Sequence, residues 1–246
     1  MERIIVKNLS KKFKIGFKKK KGFLHRIFSL FSGKEPQKVL YALRDVSFNV
    51  GSGEVLGVIG KNGSGKTTLL QVIADIYPFY EGEKKTIGKV VPLVDLKFGF
   101  KRRLSVKDNV FLISSFFGLD RKTTKKKMDI IVEFAGLGNF LETKIYQLSK
   151  GMKQRLAFSI AIHSDPKILL LDEIFAVGDE DFRKKSLNRI KQLVRKGICV
   201  ILVSNELKRI EEFCDKLIWV EKGKIIKQVN NKKDIKKTLM EYKNAK

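Results

Sequence analysis

Gly60-Lys61-Asn62-Gly63-Ser64-Gly65-Lys66-Thr67-Thr68 fits the pattern G-x-x-x-x-G-K-T, and it follows the apolar run Val55-Leu56-Gly57-Val58-Ile59. Glycines at 60, 63 and 65 let the backbone curl so that successive N–H groups converge on a phosphate chain at the start of a helix near Lys66. In this pattern the Lys66 ammonium reaches the β- and γ-phosphates and the Thr67 hydroxyl is offered to Mg²⁺. The chemistry predicted is nucleoside triphosphate binding. A second apolar run, Ile168-Leu169-Leu170-Leu171, ends in Asp172-Glu173. A buried strand ending there delivers two carboxylates to the sheet edge where the phosphate loop opens. Asp172 is the expected holder of Mg²⁺. Glu173 is the expected base that orients and deprotonates an attacking water.

These groups need a scaffold, and the patterning supplies one. Strands are expected at Arg3–Lys7, Ala42–Val50, Val55–Ile59, Lys89–Leu96, Ile168–Leu171, Ile198–Ser204 and Leu217–Val220. Helices are expected at Thr67–Ile76, Lys107–Phe117, Thr124–Ala135, after Ser149, at Asn205–Phe213 and over 232–243, with a turn at Lys222-Gly223. The alternation implies an α/β fold around a largely parallel sheet. The long stretch between Lys66 and Asp172 implies an inserted helical lobe, placed at about 98–165. No internal repeat or Pro/Ser-rich linker divides the chain, so a single domain over 1–246 is expected.

The segment between the first two strands, about 14–40, is unusual. Four lysines, Lys18–Lys21, precede Phe23, Leu24, Ile27, Phe28, Leu30 and Phe31, whose spacing gathers them on one helical face. Two readings stay open: a basic amphipathic segment against a membrane or membrane protein, or a helix packed on the protein's own core.

Composition sets outer bounds. With 246 residues, 43% of them hydrophobic, the chain can bury a substantial core, which excludes disorder throughout. Its 52 Lys+Arg against 26 Asp+Glu give a net charge of +26, which attracts phosphates, nucleic acid or an anionic membrane surface. Solvated lysine-rich faces account for such a charge equally well, and the basic stretch at 121–127 reads as one of them. No run is long enough to cross a bilayer, and the N-terminus lacks signal-peptide layout, so the cytoplasm is the expected compartment. Cys199 and Cys214 are too few and too far apart for a disulfide framework or zinc site, and His25 and His163 are too few for a histidine metal site.

Leu148-Ser149-Lys150-Gly151-Met152-Lys153-Gln154-Arg155-Leu156 lies just ahead of the second apolar run. With the phosphate loop, it resembles an ATP-binding-cassette ATPase, whose signature is of the Leu-Ser-Gly-Gly-Gln type opening a helix. Ser149 and Gly151 match; Lys150 and Met152 depart. The Ser-x-Gly-Met segment, Arg155-Leu156-Ala157-Phe158 and Leu171 through Phe182 (LDEIFAVGDEDF), with Tyr41–Gly57 and the 14–40 insert, are similar to the cassette of polysaccharide exporters. The resemblance covers nearly the whole chain. It implies an ABC-type cassette with an antiparallel β subdomain beside the parallel sheet, ATP and Mg²⁺ as cofactors, and a homodimer. In that dimer Ser149 and Gly151 face ATP bound to the opposite subunit and Asp179 lies at the interface. Phe13 stacks on adenine, with Tyr41 as the other candidate. It also implies separately encoded permease subunits, a place on the cytoplasmic face of the membrane, and export of a lipid-linked polymer of O-antigen, capsule or teichoic acid type. The additional C-terminal domain of some relatives is not expected in this chain.

Two positions depart from the family. Asp95 stands near Phe98-Gly99-Phe100 where the family has glutamine or glutamate, and Asn205 follows Val203-Ser204 where it has a histidine. An asparagine amide can hydrogen-bond a γ-phosphate but cannot become cationic, which implies slower hydrolysis. The rival readings are a cassette for a lipid or drug, a soluble nucleic-acid or ribosome factor, and a regulatory protein that binds ATP without hydrolysing it appreciably. The single cassette and Glu173 count against the last two.

Overall fold

The computed structural model describes residues 1–15, 38–94, 99–172 and 179–245. The amphipathic face at 23–31, Lys18–Lys21, His25, Asp95 to Phe98, Glu173 and 174–178 lie outside the described residues.

Two long strands, β1 (Glu2–Ile15) and β2 (Lys38–Gly51), pair antiparallel, and β4 (Glu81–Thr86) pairs antiparallel with the other edge of β1. Against this three-stranded sheet lies a six-stranded one. It holds β3 (Val55–Ile59), β5 (Val90–Leu93), β6 (Ile168–Asp172), β7 (Cys199–Val203), β8 (Lys216–Glu221) and β9 (Lys224–Val229), in the order β5-β6-β7-β3-β8-β9. All neighbours in it are parallel except β8 and β9.

The continuous apolar runs are explained by burial on both faces. Leu169 and Leu171 point into a core shared with helices α4 (Lys150–Ile162), α5 (Glu180–Arg195), α6 (Leu207–Phe213) and α7 (Lys232–Asn244). Ile168 and Leu170 point the other way, into a core shared with α1 (Lys66–Ile73) and the antiparallel sheet. Each such fully buried aliphatic side chain contributes roughly 1.5–3 kcal/mol of transfer free energy. A third core, built on Val106, Ile113, Ile131 and Leu156, joins α2 (Val106–Phe116), α3 (Arg121–Phe134) and the far face of α4.

Several boundaries differ from the sequence expectation. Helix α1 ends at Ile73 rather than Ile76, where Lys84, a buried side chain, donates to the Val72 and Ile73 carbonyls and pairs with Asp75 at 2.5 Å. Of the expected strand Lys89–Leu96, the described residues place Val90–Leu93 in β5. Strands β4 and β9 were not anticipated, and the expected helix from Asn205 starts at Leu207. Both cysteines are buried and free. Burial pushes the Cys199 thiol up to about 12 and raises that of Cys214 as well. No described helix is long and apolar enough to cross a membrane.

Candidate functional site: a phosphate cleft at the sheet edge

Strand register brings the predicted residues to one edge. Val203 of β7 is the partner of Val58 in β3 on one side and of Asp172 in β6 on the other. The three parallel strands therefore end together, and the phosphate loop, Asp172 and the segment leading to Asn205 leave the same edge of the sheet.

The loop's glycines are required by close backbone packing. Gly60 has φ 154°, and a Cβ there would lie 2.2 Å from the Val220 carbonyl oxygen. Gly65, with φ 109°, caps α1, and its Cβ would lie 2.4 Å from the Ala42 oxygen. Gly63 (φ 78°) differs: a Cβ would meet nothing within 4 Å, because it faces open space. The Lys66 side chain is buried, and its ammonium donates to the carbonyls of Gly60 at 2.7 Å and Lys61 at 3.0 Å. A cation is thus held on the loop at a helix N-terminus, where the dipole already favours an anion.

In front of the loop opens a cleft of about 620 Å³. Asn62, Gly63, Gly65, Lys66, Thr67 and Thr68 line its floor, with Asp172 at one side. Phe13, Leu40, Tyr41, Ala42 and Val94 complete the wall. Gly60, Lys61 and Ser64 are not part of that lining. The Thr67 hydroxyl donates to Asp172 Oδ2 at 2.7 Å, so a hydroxyl and a carboxylate oxygen converge on one point. That donor set suits a hard divalent cation, and a cleft of this size with loop amides, a lysine and two aromatic walls suits a nucleoside triphosphate.

The aromatic wall has support that the sequence did not reveal. Lys11 is buried, donates to the Phe79 carbonyl at 2.5 Å, and places its ammonium 5.1 Å from the Phe13 ring centre and 5.2 Å from that of Tyr77. Phe13 meets Tyr77 edge-on at 5.3 Å. In so basic a chain, one lysine beside Phe13 carries no distinguishing signal. Tyr41 is more exposed, with the Arg44 guanidinium 4.9 Å from its ring centre.

The remaining predicted residues lie outside the cleft. Ser149 caps α4, its hydroxyl accepting from the Met152 amide at 3.1 Å, and Gly151 stands in that helix's first turn with only Ser149 Oγ, 3.9 Å away, near a would-be Cβ. Asp179 caps α5 by accepting from the Phe182 amide at 2.8 Å, and its other oxygen meets Arg155 Nη1 of α4 at 3.3 Å. Asn205 is exposed, two residues past Val203; the cap position of α6 is Glu206, whose amide donates to Ser204 Oγ. Among the described residues, no cluster of three or more His, Cys, Asp and Glu could hold a metal.

The ABC transporter family matches residues 43–176. The O-antigen export system ATP-binding protein RfbB of Klebsiella pneumoniae is 36% identical over 200 residues, 81% of this chain and 80% of that protein. The RfbB of Myxococcus xanthus is 40% identical over 185 residues, 75% of this chain but 42% of the relative. The teichoic acids export ATP-binding protein TagH of Listeria innocua is 34% identical over 224 residues, 91% of this chain and 65% of the relative. The chain therefore spans less than two thirds of the length of two of these three relatives. Among solved structures, the ATP-binding subunit of an ABC transporter aligns with a TM-score of 0.76 at 21% identity, over 97% of this chain and 93% of that one. A dimeric ATP-binding cassette bound to ADP and Pi aligns at 0.74 and 23% identity, over 92% of this chain and 98% of that one. These two likenesses concern the fold alone.

Proposed function

The chain belongs to the ABC transporter family, and on that premise we propose that it is the ATP-binding and ATP-hydrolysing subunit of an exporter for a lipid-linked polysaccharide of O-antigen, capsule or teichoic acid type. The observation that carries the hydrolytic part is the convergence of Lys66, Thr67 and Asp172 in one cleft. The polymer class is inferred from the relatives' names. MgATP bound there supplies the γ-phosphoryl group whose transfer to water releases free energy. Lys66 and the loop amides offset phosphate charge, and Thr67 and Asp172 hold Mg²⁺ through oxygen. Glu173 takes the proton from the attacking water, and Asn205 donates an amide hydrogen bond. Phe13, braced by Lys11 and Tyr77, stacks on the base, with Tyr41 as the second aromatic.

Ser149 and Gly151 do not line their own chain's cleft, and this supports a homodimer in which the partner subunit's Ser149 and the partner subunit's Gly151 close each site. Separately encoded permease subunits would seat the dimer at the cytoplasmic face of the membrane, the chain itself attached peripherally. In that arrangement the segment 95–100 and the insert at about 14–40 would contact the permease or anionic headgroups.

The test is genetic and biochemical. Cells lacking this chain should retain the polymer inside, and wild-type protein should restore it to the surface. Lys66→Ala should fail to restore it and should lose ATP binding in titration. Normal surface polymer in the null strain would reject the polysaccharide reading, and undiminished ATP binding by Lys66→Ala would reject the site.

A further inference from the structure

Beside the phosphate loop, three chain segments meet backbone to backbone. Strand β8 leads into the turn Lys222-Gly223, with φ 48° and 81°, and the pair Glu221 and Lys224 closes this two-residue hairpin into β9. Both positive φ angles make it a turn whose tip ordinarily presents its peptide groups to water. Here Gly223 is buried and its peptide groups are used elsewhere. Its N–H donates to the Ser64 carbonyl of the phosphate loop at 2.9 Å, and its carbonyl accepts from the Arg44 amide of β2 at 2.8 Å. The Ala42 carbonyl is pinched between two glycines: a Cβ on Gly65 would lie 2.4 Å from its oxygen, and a Cβ on Gly223 would lie 2.7 Å from it. Two residues before the turn, Val220 of β8 presents its carbonyl to Gly60 in the same manner. The loop is thus keyed to the hairpin at Gly60 and Ser64, and to β2 at Gly65.

We propose that Gly223 is a positioning residue for the phosphate loop, fixing the backbone of Ser64 and hence the direction of the loop amides without itself lining the cleft. The proposal rests on the loop being the nucleotide site. Its logic is steric and conformational together. At φ 81° any side chain is strained, and at this position the atoms in its way are backbone, which cannot rotate aside as the end of a side chain can. A Cβ at 223 therefore pushes the turn off Ala42 and lengthens or breaks the bond to Ser64.

Two substitutions separate the causes. Asparagine tolerates a positive φ but still carries a Cβ, so Gly223→Asn should weaken binding of a non-hydrolysable ATP analogue nearly as much as Gly223→Ala, by roughly ten-fold, equivalent to about 1.4 kcal/mol. Lys222→Gly, which keeps the turn, should bind as wild type does. A purely structural role would lower the melting temperature of Gly223→Ala and leave its affinity unchanged; that result, or wild-type affinity in Gly223→Asn, overturns the proposal. Hydrogen exchange gives a readout that does not depend on a folded variant. In the wild type, adding the analogue should slow exchange at 222–224, none of which lines the cleft, and unchanged exchange there overturns the coupling. If the wild type binds no analogue at all, the nucleotide reading fails instead. In that event, faster exchange of the 60–66 amides in nucleotide-free Gly223→Ala would still show the brace.

Discussion

At the scale of single residues, Asn205 is a position whose proposed role one substitution can test. Asn205 leaves the sheet edge two residues beyond Val203, whose neighbours across the sheet are Val58 and Asp172. The cap position of α6 is Glu206, whose amide donates to Ser204 Oγ. If the side chain serves the γ-phosphate, Asn205→His supplies a donor that can become cationic as charge develops in the transition state. Turnover should then rise by roughly ten-fold or more, since about 1.4 kcal/mol of added transition-state stabilisation is a factor of ten. Affinity for ATP should change little, because Lys66 and the loop amides hold the ground state. Steady-state hydrolysis by the purified protein decides it: unchanged or slower turnover in a variant that melts normally rejects the role.

Between residues and the whole stand the contacts that lock elements together, and His163 at the end of α4 is one of them. Its ring lies 5.3 Å from that of Phe134 in α3, edge-on, and Nδ1–H donates to the Ser159 carbonyl at 2.8 Å. Burial, with the nearby cations Arg189 and Lys127, outweighs the Ser159 bond and the attraction of Asp165 and lowers its pKa to about 4. In the unfolded chain the ring takes a proton near its ordinary 6.5, whereas in the fold it stays neutral down to about 4. Over that window the unfolded state binds more protons, so stability falls as pH falls. His163→Gln should show a shallower loss between pH 7 and about pH 5 in urea unfolding, above the range where carboxylates titrate. Equal losses in the two proteins would show that His163 does not govern the slope. Sequence reading carries most where information is local. Lys66 and Thr67 are marked by their immediate neighbours, and Asp172 by the apolar run that ends in it. It missed β4 because EGEKKT has no apolar alternation; its strand character comes from backbone pairing with β1, as in Val6 with Lys84. It likewise could not see that Gly223 meets Ser64, or that Lys11 supports Phe13, since nothing local records which distant segments will touch.

For the molecule as a whole, the net charge of +26 argues against spontaneous self-association, because two such chains repel as they approach. Nucleotide offsets this where it matters. Ser149 opens α4 and Asp179 opens α5, tied together through Arg155, so one block of the chain carries a second set of helix N-terminal donors that its own cleft does not use. Phosphates held by the loop of one copy are the natural ligand for the donors of another, and the added negative charge lies between the two basic bodies. In the proposed dimer, two copies arranged head to tail would complete two sites, whereas one copy would complete none. The dimer should therefore depend on ATP and fall apart once the γ-phosphate is cleaved. Glu173→Gln, which keeps a hydrogen-bonding side chain but no base, should bind ATP normally and accumulate as a dimer. In sizing chromatography, wild type with ADP should elute as a monomer and Glu173→Gln with ATP and Mg²⁺ as a dimer. Adding Lys66→Ala to that variant should return it to the monomer, because the phosphate that joins the copies is no longer held. A monomeric Glu173→Gln at saturating ATP would reject either the shared site or the role given to Glu173; normal hydrolysis by that variant would single out the latter.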